Sequence, residues 1–288
     1  MYNSTALPAS VRDFQRSTGM DYNQLLSTNP KTDKNELSTS ILHLAPSNLS
    51  GFNVCKFAGN CKQICLHFSG NPAFKSKYEA RINRTKAFFT DKNKFIELLI
   101  LSILRQYKRN NYNKIGIRLN GTSDILYENI GLNIPDYLAN CIYRKYGLSV
   151  NSGPYANIFM LFRLNNLEAQ FYDYTKTPRD YLHAMACGYH LTFSYDGKTN
   201  KANHKHCIEA LDAGLNIAAA FDIKKGESLP ASLYVPELGR RLTVIDGDLS
   251  DERFNDPEKL EGVLVGLRYK RATGRKATKQ DIKRFCIA

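Results

Sequence analysis

Seven short, nearly continuous apolar runs set the strongest limit on what this chain can fold into. They are Ser40–Ala45, Lys114–Leu119, Gln170–Tyr174, Tyr189–Phe193, Asn216–Phe221, Leu242–Ile245 and Val263–Leu267. Strands that lack polar alternation are those buried on both faces, as in a parallel sheet covered by crossover helices. Helical patterns lie between several of them. One follows Gly70 and Pro72, with Phe74, Tyr78, Ile82, Thr85 and Phe89 on one stripe and Lys77, Arg81 and Arg84 on a basic flank. A second is capped by Thr90 or Asp91 and carries Phe95, Leu98, Leu99, Ser102, Ile103 and Tyr107. Pro135–Tyr146 and His204–Ala213, the latter ended by Gly214, supply two more. The expected fold is α/β, a full or partial parallel β/α barrel; an open doubly wound sheet is the alternative that periodicity alone does not separate.

The expected organisation has three parts. Residues 1–38, rich in Ser, Thr, Asn and Asp, read as a loosely ordered lead-in with one short helix around Ser10–Gln15. Residues 39–267 form the barrel-like domain, and 268–288 a basic C-terminal tail. The longest apolar run, Phe95–Leu104, is interrupted by Glu97 and Ser102, so it reads as a core helix and no membrane partner is expected. The N-terminus lacks the architecture of a signal peptide, which places the chain in a cytoplasm. No pattern specifies an oligomer.

The first cysteines are clustered: Cys55, Cys61 and Cys65 lie in one loop directly after the first strand run, punctuated by Gly51, Gly59, Asn60 and Gly70. Three thiols so close together leave one unpaired in any disulfide scheme, and a chain without a secretory signal keeps its thiols reduced. The loop therefore reads as a metal nest. With His67 or His43 as fourth ligand it would close a Cys3His zinc site. With three thiolates alone it suits a [4Fe-4S] cluster whose fourth iron stays open. Cys141, Cys187, Cys207 and Cys286 are scattered singly and read as buried free thiols.

Polar residues gather where the strand runs end, which is where parallel α/β folds place ligands. Asn120, Gly121, Thr122, Ser123 and Asp124 follow the second run, and Asp246 and Asp248 the sixth; these are the candidate cofactor contacts. Lys176, His190 and Ser194 are the candidate catalytic residues, Lys176 as an amine at a strand end and the other two on one face of a strand. A weaker possibility is metal-assisted nucleic-acid cleavage through Asp124, Glu128, Asp246 and Asp248. Phosphate-loop, dinucleotide-fingerprint, His-Glu-x-x-His and Gly-x-Ser-x-Gly motifs are absent.

Charge adds a partner. The net charge is +13, and eight Lys or Arg residues against one acid lie between Arg268 and Arg284. Such a surface favours nucleic acid or another polyanion, with Arg81, Arg84, Arg268, Lys270, Arg271, Arg275 and Lys276 as candidate contacts.

Three cysteines in the loop after the first strand, followed by the turn Arg118-Leu-Asn-Gly-Thr-Ser-Asp124 after the second, resemble the organisation of radical S-adenosylmethionine enzymes. That resemblance implies a [4Fe-4S] cluster holding S-adenosylmethionine over the strand ends. The spacing departs from that superfamily's usual three then two intervening residues, being five then three here. A closer likeness rests on Cys55…Cys61…Cys65, Arg81…Arg84-Thr85, Arg118–Asp124, Asp173-Tyr-Thr-Lys176, Tyr189-His-Leu-Thr-Phe-Ser194, Val244-Ile-Asp-Gly-Asp248 and Gly262-Val-Leu-Val-Gly266. In these the chain resembles the phage and plasmid gene product eighty-eight-like family, from about Thr39 to Leu267, with Leu66 where the family usually has tyrosine. The likeness implies a viral or mobile-element origin, hence a host cytoplasm, and no defined activity. The function expected is an iron-sulfur protein, radical S-adenosylmethionine-like, acting on a nucleic acid or nucleotide. The alternative is a non-catalytic nucleic-acid-binding replication accessory with a zinc-stabilised loop.

Overall fold

The computed structural model describes residues 6–28, 32, 35–65, 67, 75–257, 261–270 and 277–287. Helix α1 (Ala9–Thr18) and the two-residue strand β1 (Leu26–Ser27) come first, and then β2 (Ser38–Leu42). Helices α2 (Lys75–Thr90) and α3 (Lys92–Arg109) cross over to β3 (Ile115–Arg118). A small hairpin of β4 (Leu132–Ile134) and β5 (Gly153–Tyr155) brackets α4 (Asp136–Tyr146), and α5 (Ile158–Leu164) leads into β6 (Ala169–Thr175). Then follow α6 (Tyr181–Ala186), β7 (Tyr189–Ser194), α7 (Lys201–Asp212), β8 (Ile217–Phe221), β9 (Ser232–Val235), β10 (Arg240–Asp246), β11 (Val263–Arg268) and α8 (Lys279–Phe285).

All seven apolar runs are strands of one nine-stranded sheet, in the order β1-β2-β3-β6-β7-β8-β11-β10-β9. Its pairings are parallel except at the two margins, where β1 meets β2 and β9 meets β10 antiparallel. The sheet does not close. Short antiparallel strands occupy both outer edges, so the hydrogen-bonding groups that a closed barrel would join are capped by β1 and β9 instead, and the expectation of a full barrel is corrected to an open α/β sheet.

One face of the sheet carries the main core. Leu42, Ile117, Phe171, Leu191, Phe193, Ile217 and Leu264 pack there with Leu98, Leu99 and Ile103 of α3, Phe159 and Phe162 of α5, and Ala210 and Leu211 of α7. Alternation sends the next residues to the other face, where Ala218, Val263 and Val265 form a second cluster joined by Tyr174, Ile245 and Leu267. The polar lead-in also reaches the main core, through Val11 and Phe14 of α1 and through Leu25 and Leu26. Asp91 caps α3 by accepting from Lys94 N, one of the two caps expected.

Helix α2 is rotated from the face its stripe suggests, keeping Thr85 of that stripe buried. Arg81, Thr85, Ala87 and Phe88 are buried, whereas Phe89 is 40% exposed and stacks on Phe52; Phe74 lies outside the described residues. Among the described residues no helix is long and apolar enough to cross a membrane.

Candidate metal centre at the strand ends

Beyond β2 the chain runs through His43 and Leu44 to Ala45, whose N–H donates to Thr85 Oγ1 of α2 at 2.8 Å. A turn at Ser47, in left-handed conformation at φ 53°, and the bond from Val54 N to Ser47 O shape the approach to the cysteines. Val54 O in turn accepts from Asp124 N at 2.8 Å, and the Cys55 thiol points to Thr122 O at 3.7 Å. The first cysteine is thereby stitched to the turn after β3.

The second is fastened across the sheet. Gly59–Lys62 forms a short 3-10 turn, and the N–H groups of Asn60 and Cys61 both donate to the Asp196 carboxylate, at 2.7 and 3.0 Å. Asp196 lies just past β7, wholly buried, with Asn200 Nδ2 at 2.7 Å and Lys176 Nζ at 3.6 Å. Gly59 is left-handed at φ +51°, and a Cβ there would stand 2.0 Å from Asp196 Oδ2. Only glycine lets the loop approach that carboxylate. The C-terminal helix completes the enclosure, with the Phe285 ring 5.3 Å from Lys176 Nζ and Ile287 N donating to Ala220 O.

Cys55, Cys61 and Cys65 are all half-buried and form no disulfide. Burial pushes the Cys55 and Cys61 thiols up to about 12, with a smaller upward push on Cys55 from Cys65 and on Cys61 from both Cys65 and Cys55. Lys176 pulls Cys61 the other way. The three thiols therefore share one electrostatic neighbourhood. Among the described residues, no three His, Cys, Asp or Glu side chains stand in an arrangement that would hold a metal ion as they are.

The two histidines offered as fourth ligands face arginines. Arg81 NH1 lies 2.6 Å from His67 Nδ1. Guanidinium can only donate, so Nδ1 is the acceptor and the ring proton sits on Nε2. Zinc on Nε2 would then require an imidazolate. His43 is surrounded by Arg81, Arg118, Arg84 and His67; burial first, and then those charges, lowers it to about 3. Burial and Arg81 lower His67 to about 4. Both rings stay neutral near pH 7, in surroundings that repel a cation.

The strand-end turn expected to contact a cofactor is tied up in structure. Asn120 Oδ1 accepts from Ser123 Oγ and Ile125 N, its Nδ2 donates to Ile125 O and Tyr189 Oη, and Thr122 Oγ1 donates to Leu44 O. A Cβ on Gly121 would meet Ile41 and His43 at 2.4 and 2.6 Å. Asp124 accepts from Thr175 Oγ1, Lys176 N, Thr177 N and Arg179 NH2, which fixes the end of β6. Lys176, besides Asp196, donates to the carbonyls of Ser194 and Tyr195 at 3.4 and 3.2 Å, so its ammonium is a brace between two strand ends. Ser194 O also accepts from Asn203 Nδ2. His190, paired in register with Tyr172, lies on the opposite face of β7 from Leu191 and Phe193.

The four acids of the cleavage reading fall into two separate ion-pair groups. Arg179 holds Asp124 and Glu128 at 2.9 and 2.8 Å, whereas Arg268 holds Asp246 and Asp248 at 2.8 and 3.3 Å beside the end of β10. Neither group leaves bare carboxylates. Of the basic residues expected to touch nucleic acid, Arg81 is buried, Arg84 donates to the carbonyls of Gln24 and His43, and Arg268 belongs to the pairs just described. Lys270 is exposed; Arg271, Arg275 and Lys276 lie outside the described residues.

Asp173, Arg118 and Asp251 form a buried network that the motifs did not reveal as such. Arg118 meets Asp251 at 2.7 Å and Asp173 at 3.4 Å, and Asp173 Oδ2 also accepts from Leu119 N, Asn120 N and Tyr189 Oη. Burial raises Asp173 to about 6, against the pull of Arg118 and of those donors. The network holds the turn after β3 against β6 and β7.

A family model described as gene product 88 matches residues 17–288. No curated protein and no solved structure matches the chain.

Proposed function

The chain belongs to the gene product 88 family, and we propose that it is a phage- or plasmid-type iron-sulfur protein, radical S-adenosylmethionine-like, whose Cys55, Cys61 and Cys65 hold a [4Fe-4S] cluster and whose substrate is a nucleic acid or nucleotide. The observation that carries this reading is where the cysteine loop sits: at the carboxyl end of the first strand of a parallel run, pinned to the end of the fourth by Asp196.

Strand order supports the finer fold. β2, β3, β6, β7, β8 and β11 follow one another in chain order, as the strands of a partial β/α barrel do, whereas a doubly wound sheet reverses at a central switch point. Curvature is implied by a short connection. Six strand spacings of about 4.8 Å would put β10 roughly 29 Å from β2 in a flat sheet, with Asp246 and Leu37 at opposite strand ends as well. Yet the Glu252 carboxylate accepts from Glu36 N and Leu37 N, although the intervening residues are turned back by Leu249 N donating to Asp246 O. Such a reach supports a sheet that curls around the segment.

The donor set fits a cluster better than a closed zinc knuckle. Zinc draws its sulfurs in to about 2.3 Å around one ion, whereas in a cubane each thiolate sits on a different iron. Three cysteines in one loop supply one thiolate to each of three irons and leave the fourth iron open. His67 is engaged by Arg81 and is a poor fourth ligand. When bound, such a cluster supplies one-electron chemistry and an open iron for S-adenosylmethionine. The chain's own residues do the positioning: Asp196 and Lys176 hold the turn that carries Cys61, and the Asp124 backbone holds the strand entering Cys55.

Anaerobic purification followed by iron and sulfide analysis and a visible spectrum tests this. Expected are about four irons and four sulfides per chain, with a broad absorption lost in Cys55→Ser, Cys61→Ser and Cys65→Ser. A colourless protein carrying one zinc overturns it and favours the second reading, a zinc-stabilised nucleic-acid-binding accessory, which the net charge of +13 supports on its own.

A further inference from the structure

Buried arginines in this fold come with carboxylates. Arg118 has Asp173 and Asp251, Arg179 has Asp124 and Glu128, and Arg253 has Asp256. One pair breaks the pattern. Arg81 is only 5% exposed, and the polar partner of its guanidinium is the neutral Nδ1 of His67. Arg84, one turn further along α2 and close enough for its charge to act on Arg81, donates only to the carbonyls of His43 and Gln24. Among the described residues no Asp or Glu pairs with either.

An isolated buried cation is costly, and a fold normally removes it or pairs it. Here the fold secures it instead: Thr85 Oγ1 accepts from Ala45 N and donates to Arg81 O, locking α2 against the exit of β2. Guanidinium carries five N–H donors, and Arg81 uses one of them on His67. Donors left over on a guanidinium suit the oxygens of a bidentate oxyanion. His67, the partner of Arg81, also donates its backbone N–H to Cys65 Sγ at 3.5 Å, which sets the place of the pocket beside the cysteine loop.

We propose that Arg81 and Arg84 form an oxyanion pocket beside Cys65 that receives the phosphate or carboxylate group of a small ligand. The pocket rests on the carboxylate-free burial of Arg81 with Arg84 one turn away and does not depend on the identity of any metal.

Isothermal titration of the full chain with inorganic phosphate and, separately, with acetate, at constant ionic strength set by potassium chloride, tests the pocket. Saturable binding of one anion per chain is expected, weakened tenfold or more in Arg84→Gln and unchanged in Lys225→Gln, an exposed lysine outside the cysteine loop, and the tighter of the two anions identifies the group. Arg81→Gln is the second variant, compared only after its circular dichroism matches the native chain. No saturable binding of either anion by the native chain overturns the proposal. So does equal affinity in native chain and Arg84→Gln, with only the pH profile of Cys65 alkylation shifted, since the arginines would then serve the thiolates alone. Metal analysis of the same samples reads the cluster separately.

Discussion

Gly59 carries more of the cysteine loop than its lack of a side chain suggests. It is left-handed, and its Cα faces the Asp196 carboxylate that accepts the next two backbone N–H groups. Gly59→Ala places a methyl group where Asp196 Oδ2 now lies and also strains the backbone. The expected loss is about 2 kcal/mol or more in denaturant unfolding. Cys61 alkylation should accelerate at least as much as Cys55 alkylation, because Cys61 loses its anchor. Unchanged stability with unchanged Cys61 reactivity would mean that the loop is held elsewhere. The cysteines and the glycine were legible in the sequence, because residue type alone announces thiol chemistry and tight turns. Asp196 was visible only as one polar residue among many at strand ends, since its partner lies 136 positions earlier and sequence periodicity says nothing of such a pairing.

At the scale of elements, the seven apolar strands were readable because burial on both faces removes polar alternation. The strands that escaped notice, β1, β4, β5 and β9, run two to four residues and have no room for a periodic signal. Helix α2 is rotated from its aromatic stripe because Thr85 bonds Ala45 at the exit of β2 and Arg81 meets His67, contacts to distant residues that leave no trace in the periodicity of the helix. The segment that follows β10 shows the same lesson. Its Glu252 binds the N–H groups of Glu36 and Leu37, its Asp251 pairs with Arg118, and its Phe254 ring packs 5.1 Å from Tyr172. It is a plug on the face of the sheet that carries Arg118 and Tyr172. Glu252→Ala orphans two N–H groups at the entry of β2, so amide exchange at Glu36 and Leu37 should rise by tenfold or more while Ile117 and Phe193 stay protected. Equal acceleration everywhere would show that the plug and the sheet open as one unit.

Across the whole molecule, the excess of positive charge is arranged differently from the way the sequence suggests. The basic C-terminal stretch begins inside β11 with Arg268 and ends in α8, and its Cys286 and Ile287 are buried. Removing it would damage the fold and confound any test of its charge. Arg81, Arg84 and Arg268 are engaged inside the protein. Exposed lysines instead ring the cysteine loop: Lys56 is in it, and Lys198 and Lys201 flank the Asn200 that contacts Asp196. If these contact phosphates of a single strand, each releases counterions and adds about 0.7 to the slope of log affinity against log salt. The double variant Lys198→Glu/Lys201→Glu should therefore lower affinity for a fluorescent single-stranded oligonucleotide at low salt and reduce that slope by roughly 1 to 2. Anisotropy titrations at several potassium chloride concentrations measure both. An unchanged slope would separate the nucleic-acid surface from the cysteine loop and assign the positive field to solubility alone.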